Sequence, residues 1–274
     1  MIKQILISSD SIGFLGSSSQ FLFLWKDLFE KKYFHGVELI AFKPIDKLQN
    51  FVLTLEKNNI KVLSFHGKTG GEDRLSLIGR LTMSFVNKFI LGVDELANIF
   101  SNYEFLFHTP YLEDIKIKNY ILKNKNKIKT LWIENHLDGI EGLKETIKIV
   151  DFYRQNGVNA LGLIDLYHVV SKIKTKYLIE NWENIIDEIA KYKKYFIGVH
   201  FPIGTRLDDS LPIDLLTDEQ LIYLDKKILK FVNKIVFENQ QKNLGLLYSN
   251  YLMLKKQKLR NERIFNRLKK LDII

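Results

Sequence analysis

The chain has no cysteine, and that one absence removes disulfides, thiolate metal sites and a cysteine nucleophile together. Any metal must sit on nitrogen and oxygen ligands, and a reducing compartment fits. No apolar run approaches the ~18 residues of a membrane span, and Met1 to Asp10 lacks a basic start followed by a signal-like core. The expectation is a cytoplasmic protein without membrane contact. Gly67-Lys68-Thr69 lacks the glycine five residues earlier, where Val62 stands, which excludes a nucleotide phosphate loop. No linker, low-complexity stretch or short-period repeat interrupts the 274 residues, a length close to the ~250 residues of one eight-stranded α/β barrel. One domain over 1–274 is expected.

What is present is a chain of 46% hydrophobic and 12% aromatic residues, enough for a sizeable core. The formal charge is +9, with 41 Lys plus Arg against 32 Asp plus Glu. Such a balance would favour phosphate or nucleic acid. Lysine, isoleucine and asparagine abound together, however, so the charge reads better as lysines spread over solvated helix faces. Lys255, Lys256, Lys258, Arg260 and Lys269 of the last helix fall under the same reading.

Six short apolar runs each stop at a residue able to bind a metal or move a proton. Val62 to Phe65 meets His66, Phe105 to Phe107 meets His108, and Leu131 to Ile133 meets Glu134. Leu161 to Ile164 meets Asp165, Phe196 to Val199 meets His200, and Ile235 to Phe237 meets Glu238. With Ile2 to Ser8 and His35 to Ile40 they make eight strands. Helical spacing falls between them over 21–32, 48–58, 75–100, 113–127, 140–156, 169–192 (one or two helices), 217–232 and 245–270. The alternation predicts an α/β fold, a single (β/α)8 TIM barrel. An open doubly wound sheet would concentrate function at one switch point, whereas a barrel gathers strand ends from the whole chain onto one face.

Glu134, Asp165, His200 and Glu238 end strands five to eight. Three carboxylates and an imidazole brought together repel one another unless a cation lies among them, and this hard set suits Mn²⁺, Mg²⁺, Co²⁺ or Zn²⁺. The alternative is that Asp165 or Glu238 caps the following helix. Of six histidines, all but His35 fall at or just past a strand end; His35 precedes its strand and is read as structural. Phe14, Phe65 and Trp132 are read as packing, and Gly13 to Ser19 and Gly67 to Gly71 as rim loops.

Glu134-Asn135-His136, Asp165-Leu166-Tyr167-His168, His200 with Arg206 six residues on, and Phe237-Glu238-Asn239 resemble the metal and substrate motifs of the xylose isomerase-like barrel superfamily of sugar isomerases, epimerases and endonuclease IV. Gly36-Val37-Glu38-Leu39 is similar to that family's second strand. The resemblance to the tagatose-epimerase type implies that Glu134, Asp165, His200 and Glu238 bind one divalent metal. It further implies that His168 and Arg206 hold substrate oxygens, and that Glu134 and Glu238 move protons. His66 and His108 are assigned to substrate contact or, by resemblance to endonuclease IV, to a second metal shared with Glu134. The Asp-x-His pair of that enzyme's third zinc is missing: Asp214-Leu215-Leu216 stands there. The function implied is a divalent-metal-dependent isomerase or epimerase of a carbohydrate or keto acid acting through an enediolate. The alternatives are an endonuclease IV-like phosphodiesterase on abasic DNA, with nucleic acid as the less favoured partner, and an accessory barrel that keeps its metal ligands.

Overall fold

The computed structural model describes residues 3–8, 25–70, 88–136, 139–171, 173–202, 216–238 and 251–274. Eight parallel strands close into a barrel in chain order. They are β1 (Gln4–Ser8), β2 (Gly36–Ile40), β3 (Val62–His66), β4 (Glu104–His108), β5 (Thr130–Glu134), β6 (Ala160–Asp165), β7 (Phe196–Pro202) and β8 (Lys234–Glu238). The expected (β/α)8 TIM barrel is observed. β1 pairs with β8 to complete the ring, Gln4 lying beside Lys234 and Ile7 beside Phe237.

Each strand is buried on both sides, but the two sides differ in chemistry. In β4, Phe105 and Phe107 join the large apolar layer between strands and helices. Glu104, Leu106 and His108 alternate with them and face the interior. There Leu106, Trp132 and Leu163 form a small separate cluster, with Leu161 and Ile197 against it. Trp132 fits because β7 carries glycine opposite: a Cβ at Gly198 would stand 2.8 Å from Trp132 Cζ3.

The helices follow from apolar spacing. Ile45–Lys57 buries Leu48, Val52 and Leu55, with Asp46 in its first turn and Lys57 in its last, as the helix dipole favours. Ile140–Gln155 buries Leu143, Thr146, Val150 and Tyr153 on one face. Asp218–Lys227 begins at a capping box in which Thr217 accepts from Gln220 N and the Gln220 side chain receives Thr217 N–H.

Two expected helices are corrected. Of 75–100, residues 71–87 lie outside the description. Within the remainder the helix is only Val93–Ile99, because Gly92 caps it and Ile90 bridges to Phe42 instead. The expected 113–127 helix is shorter, Ile115–Lys123, begun by Asp114, whose side chain accepts from Lys116 N and Ile117 N, and followed by a 3-10 turn over Lys125–Lys127; a separate short helix, Thr109–Glu113, precedes it. The stretch 169–192 carries the end of Leu166–Val170, then Thr175–Glu180 and Trp182–Ala190. The last helix is described over Tyr251–Lys270. Among the described residues, no helix is long and apolar enough to cross a membrane.

Candidate metal centre

The register of the barrel brings the strand ends side by side: His108 pairs with Glu134, Asp165 with His200, and Pro202 with Glu238. Glu134, Asp165, His200 and Glu238 each present one ligand atom, all within 4.8 Å of one another, and all four are buried. A second group, His66, His108 and Glu134, meets the same limit and shares Glu134 with the first.

Hydrogen bonds to the outer atoms of these side chains decide which atoms face inward. His66 Nδ1 lies 3.1 Å from the Gly67 carbonyl oxygen, which only accepts, so Nδ1 carries the proton and Nε2 faces Glu134 Oε2 at 3.2 Å. His168 is fixed in the same way. Its Nδ1 donates to the Asn135 carbonyl at 2.7 Å, and its Nε2 stands 3.4 Å from Asp165 Oδ2. His108 Nε2 lies 3.3 Å from His66 Nε2 and 3.4 Å from Glu134 Oε2.

Asp165 divides its two oxygens. Oδ1 accepts from Tyr167 N at 2.6 Å and His168 N at 3.2 Å, which is the helix-cap role set against the metal role above. Oδ2 makes no hydrogen bond. The two roles are thus compatible in one carboxylate. Asn135 braces it from the neighbouring strand, accepting Asp165 N–H at 2.7 Å and donating to the Asp165 carbonyl at 3.2 Å.

His200 Nδ1 stands 3.0 Å from Glu238 Oε2 and 3.2 Å from Glu134 Oε1, yet its direction makes a hydrogen bond to neither. A buried imidazole nitrogen and a buried carboxylate oxygen, both without hydrogen bonds and both beside two further carboxylates, are what a bound divalent ion would satisfy. The donor set fits such an ion.

The protonation pattern carries the same strain. Burial pushes the Asp165 carboxyl up to about 7. Burial pulls the His200 imidazole down, but Glu134, Glu238 and Glu38 outweigh it and hold it well above its ordinary value. His66, against the same pull of burial, is raised to about 9 by its contact with Glu134. His108 goes the other way, well below, because burial dominates there. Glu134 stays well below the usual carboxylate range through its imidazole neighbours, although burial opposes it.

The remaining sequence assignments divide. Arg206, Phe14, Asp214 and the loop Gly13 to Ser19 lie outside the described residues. His35 is structural as read, its Nδ1 accepting Ile5 N–H at 3.0 Å. Phe65 is core, its ring tilted by 35° against Phe100 with centroids 4.4 Å apart. Trp132 lies below the cluster, its indole donating to Glu104 Oε2 at 2.7 Å. Lys258, read as solvated, is instead part-buried and pairs with Asp27 at 2.7 Å.

Among the buried polar residues not singled out from sequence, Glu38, Ser64 and Lys234 join one another and His200. Glu38 Oε1 accepts from His200 Nε2 at 2.8 Å, and Oε2 accepts from Ser64 Oγ at 2.7 Å and Lys234 Nζ at 3.2 Å. The available signal was parity. Glu38 lies two residues before the end of β2, and Lys234 four before Glu238, so each shares the inward side of its strand.

No protein-family model and no curated protein matches the chain. In structure it is similar to xylose isomerase-like and tagatose 3-epimerase-like proteins. A xylose isomerase domain containing protein from Salmonella typhimurium has 12% identity and a TM-score of 0.53, covering 96% of this chain and 97% of that one. The spore coat polysaccharide biosynthesis protein spsE of Bacillus subtilis has 12% identity and a TM-score of 0.51, over 98% of this chain and 70% of that one. A D-tagatose 3-epimerase-like protein has 12% identity and a TM-score of 0.49, over 95% and 99%. At these identities the likeness is one of fold.

Proposed function

We propose that the protein is a divalent-metal-dependent isomerase or epimerase acting on a sugar or keto acid through an enediolate. The observation that carries this reading is the cluster of Glu134, Asp165, His200 and Glu238, whose ligand atoms lie within 4.8 Å of one another at the C-terminal ends of consecutive strands, where barrel enzymes place their chemistry. These four residues would hold Mn²⁺, Mg²⁺, Co²⁺ or Zn²⁺. Such an ion supplies positive charge to adjacent carbonyl and hydroxyl oxygens, which acidifies the C–H bond between them.

The protein's own groups then have distinct tasks. Glu134 and Glu238 each have two oxygens, so each has one for the ion and one for the carbon-bound proton. Approaching from opposite sides, one removes the proton and the other returns one. His168, with Nδ1 committed to the Asn135 carbonyl, offers Nε2 to a substrate oxygen, and Arg206 takes another. His66 and His108 border the same space through Glu134 and complete the substrate contacts.

The test is proton exchange at the carbon beside the carbonyl. A panel of ketoses, aldoses and 2-keto acids is incubated with Mn²⁺- or Co²⁺-loaded protein in D₂O and followed by NMR. Metal-dependent loss of that C–H signal is expected, slowed by at least about 10²-fold in Glu238→Gln, the usual scale for losing a general acid or base. Loaded protein that exchanges none of the panel would refute the assignment.

The second ligand group favours one other reading. His66, His108 and Glu134 are close enough to hold a further ion, as in a phosphodiesterase acting on abasic DNA. Two zincs per chain, with cleavage of an abasic-site oligonucleotide that is lost in Glu238→Gln, would select it.

A further inference from the structure

A polar column descends from the cluster through the barrel, where packed side chains are ordinarily apolar. His200 donates from Nε2 to Glu38 Oε1, Ser64 Oγ and Lys234 Nζ donate to Glu38 Oε2, and Lys234 Nζ also reaches Ser64 Oγ at 2.9 Å. Below that, Lys234 lies 4.6 Å from the Trp132 ring centroid and 3.7 Å from Glu104. Glu38, Ser64 and His200 are fully buried and Lys234 is 1% exposed. Burying so much charge is costly, and an apolar replacement is often as stable. The arrangement therefore calls for a reason other than stability.

We infer that Glu38 is a positioning residue, one that holds His200 through Nε2–H so that Nδ1 is directed at Glu134 and Glu238, and that Ser64 and Lys234 keep Glu38 oriented for this task. The inference rests on the metal reading of the cluster and deepens it. His66 and His168 are set by backbone carbonyls, which only accept. His200 meets no carbonyl at Nε2; its acceptor is a side chain. Orienting partners of this kind typically govern 10–100-fold in metal affinity.

The chemistry of Glu38→Gln makes the inference sharp. Lys234 can only donate, so a glutamine here must turn its oxygen toward Ser64 and Lys234 and its NH₂ toward His200. Nε2 then has to accept, and the ring proton moves to Nδ1, where it points at the ion's position. Adding Lys234→Met removes the constraint. Ser64 can rotate to accept from the amide, which flips and again receives Nε2–H. A residue that only filled space would show no such rescue.

The experiment uses full-length protein stripped with a chelator. Zn²⁺ affinity is measured by competition with a chromophoric chelator. Glu38→Gln should bind Zn²⁺ about 10–100-fold more weakly. The Glu38→Gln/Lys234→Met pair should return to within roughly threefold of wild type, inside the range a second partner controls. Affinity in Glu38→Gln within that margin of wild type, or a double variant no better than the single, would overturn the inference and leave the metal reading standing. Wild-type protein that takes up no ion would overturn both.

If Glu38→Gln does not fold, the comparison moves to two charge-free pairs, Glu38→Gln/Lys234→Met and Glu38→Leu/Lys234→Met. Only the first offers His200 an acceptor and should bind at least about tenfold more tightly; equal affinities would overturn the inference.

Discussion

Individual side chains in this protein carry two duties at once, and Asp165 is the clearest case. Its Oδ1 caps the helix Leu166–Val170 and its Oδ2 faces the cluster. Asparagine is an equally good cap but offers no anionic oxygen. Asp165→Asn should therefore fold with near wild-type stability in urea while losing Zn²⁺ affinity by about 100-fold or more, beyond the usual effect of an orienting partner. The protonation of the cluster gives a second expectation. A cation competes with the proton that burial retains on Asp165 up to about pH 7, and with the proton His200 keeps well above its ordinary value. Affinity must rise as pH rises and those protons leave, so Zn²⁺ or Mn²⁺ titrations from about pH 5.5 to about pH 8 should show steady strengthening. A flat profile would mean these groups do not meet the ion. The cluster residues were visible in the sequence because each interrupts an apolar run at its end. Glu38 and Lys234 were not, because each sits inside or at the start of a strand, and their relation spans positions that only barrel closure brings together.

Elements were legible to the extent that local chemistry set their ends. Strands β3 to β6 and β8 end where the sequence changes from apolar to ionisable, whereas β7 runs two residues past His200 to Pro202. Helix bounds went wrong where a cap outweighed periodicity: Gly92 and Asp114 both cut runs that apolar spacing alone would extend. The same caps can be weighed. Thr217→Ala removes the side-chain acceptor for Gln220 N and should cost about 1 kcal/mol in urea denaturation, without touching metal affinity. Gly198→Ala acts on the barrel interior instead. The new methyl would stand 2.8 Å from the Trp132 ring, so the indole must shift from Glu104 and Lys234, at about 1–3 kcal/mol for overpacking. Fluorescence of Trp132 should report the displacement.

For the molecule as a whole, the cluster links ligand chemistry to stability. An ion that binds only the folded chain at a hundred times its dissociation constant adds about 2.7 kcal/mol, or roughly 5 °C in thermal midpoint for a chain of this size. Calorimetry with Mn²⁺, Co²⁺ or Zn²⁺, reversed by a chelator, measures this directly. Barrel architecture was the most readable level of all, since eight alternations need no exact boundary to imply closure. That closure is made by β1 against β8, with Gln4 beside Lys234. β8 brings the final member of the site, Glu238, on the very segment that seals the ring. During synthesis the earlier seven strands emerge as an unclosed fence with one gatepost missing. An ion held by all four residues would have to wait for that last post, so chains cut before Glu238 should bind Zn²⁺ more weakly than the full chain in chelator competition.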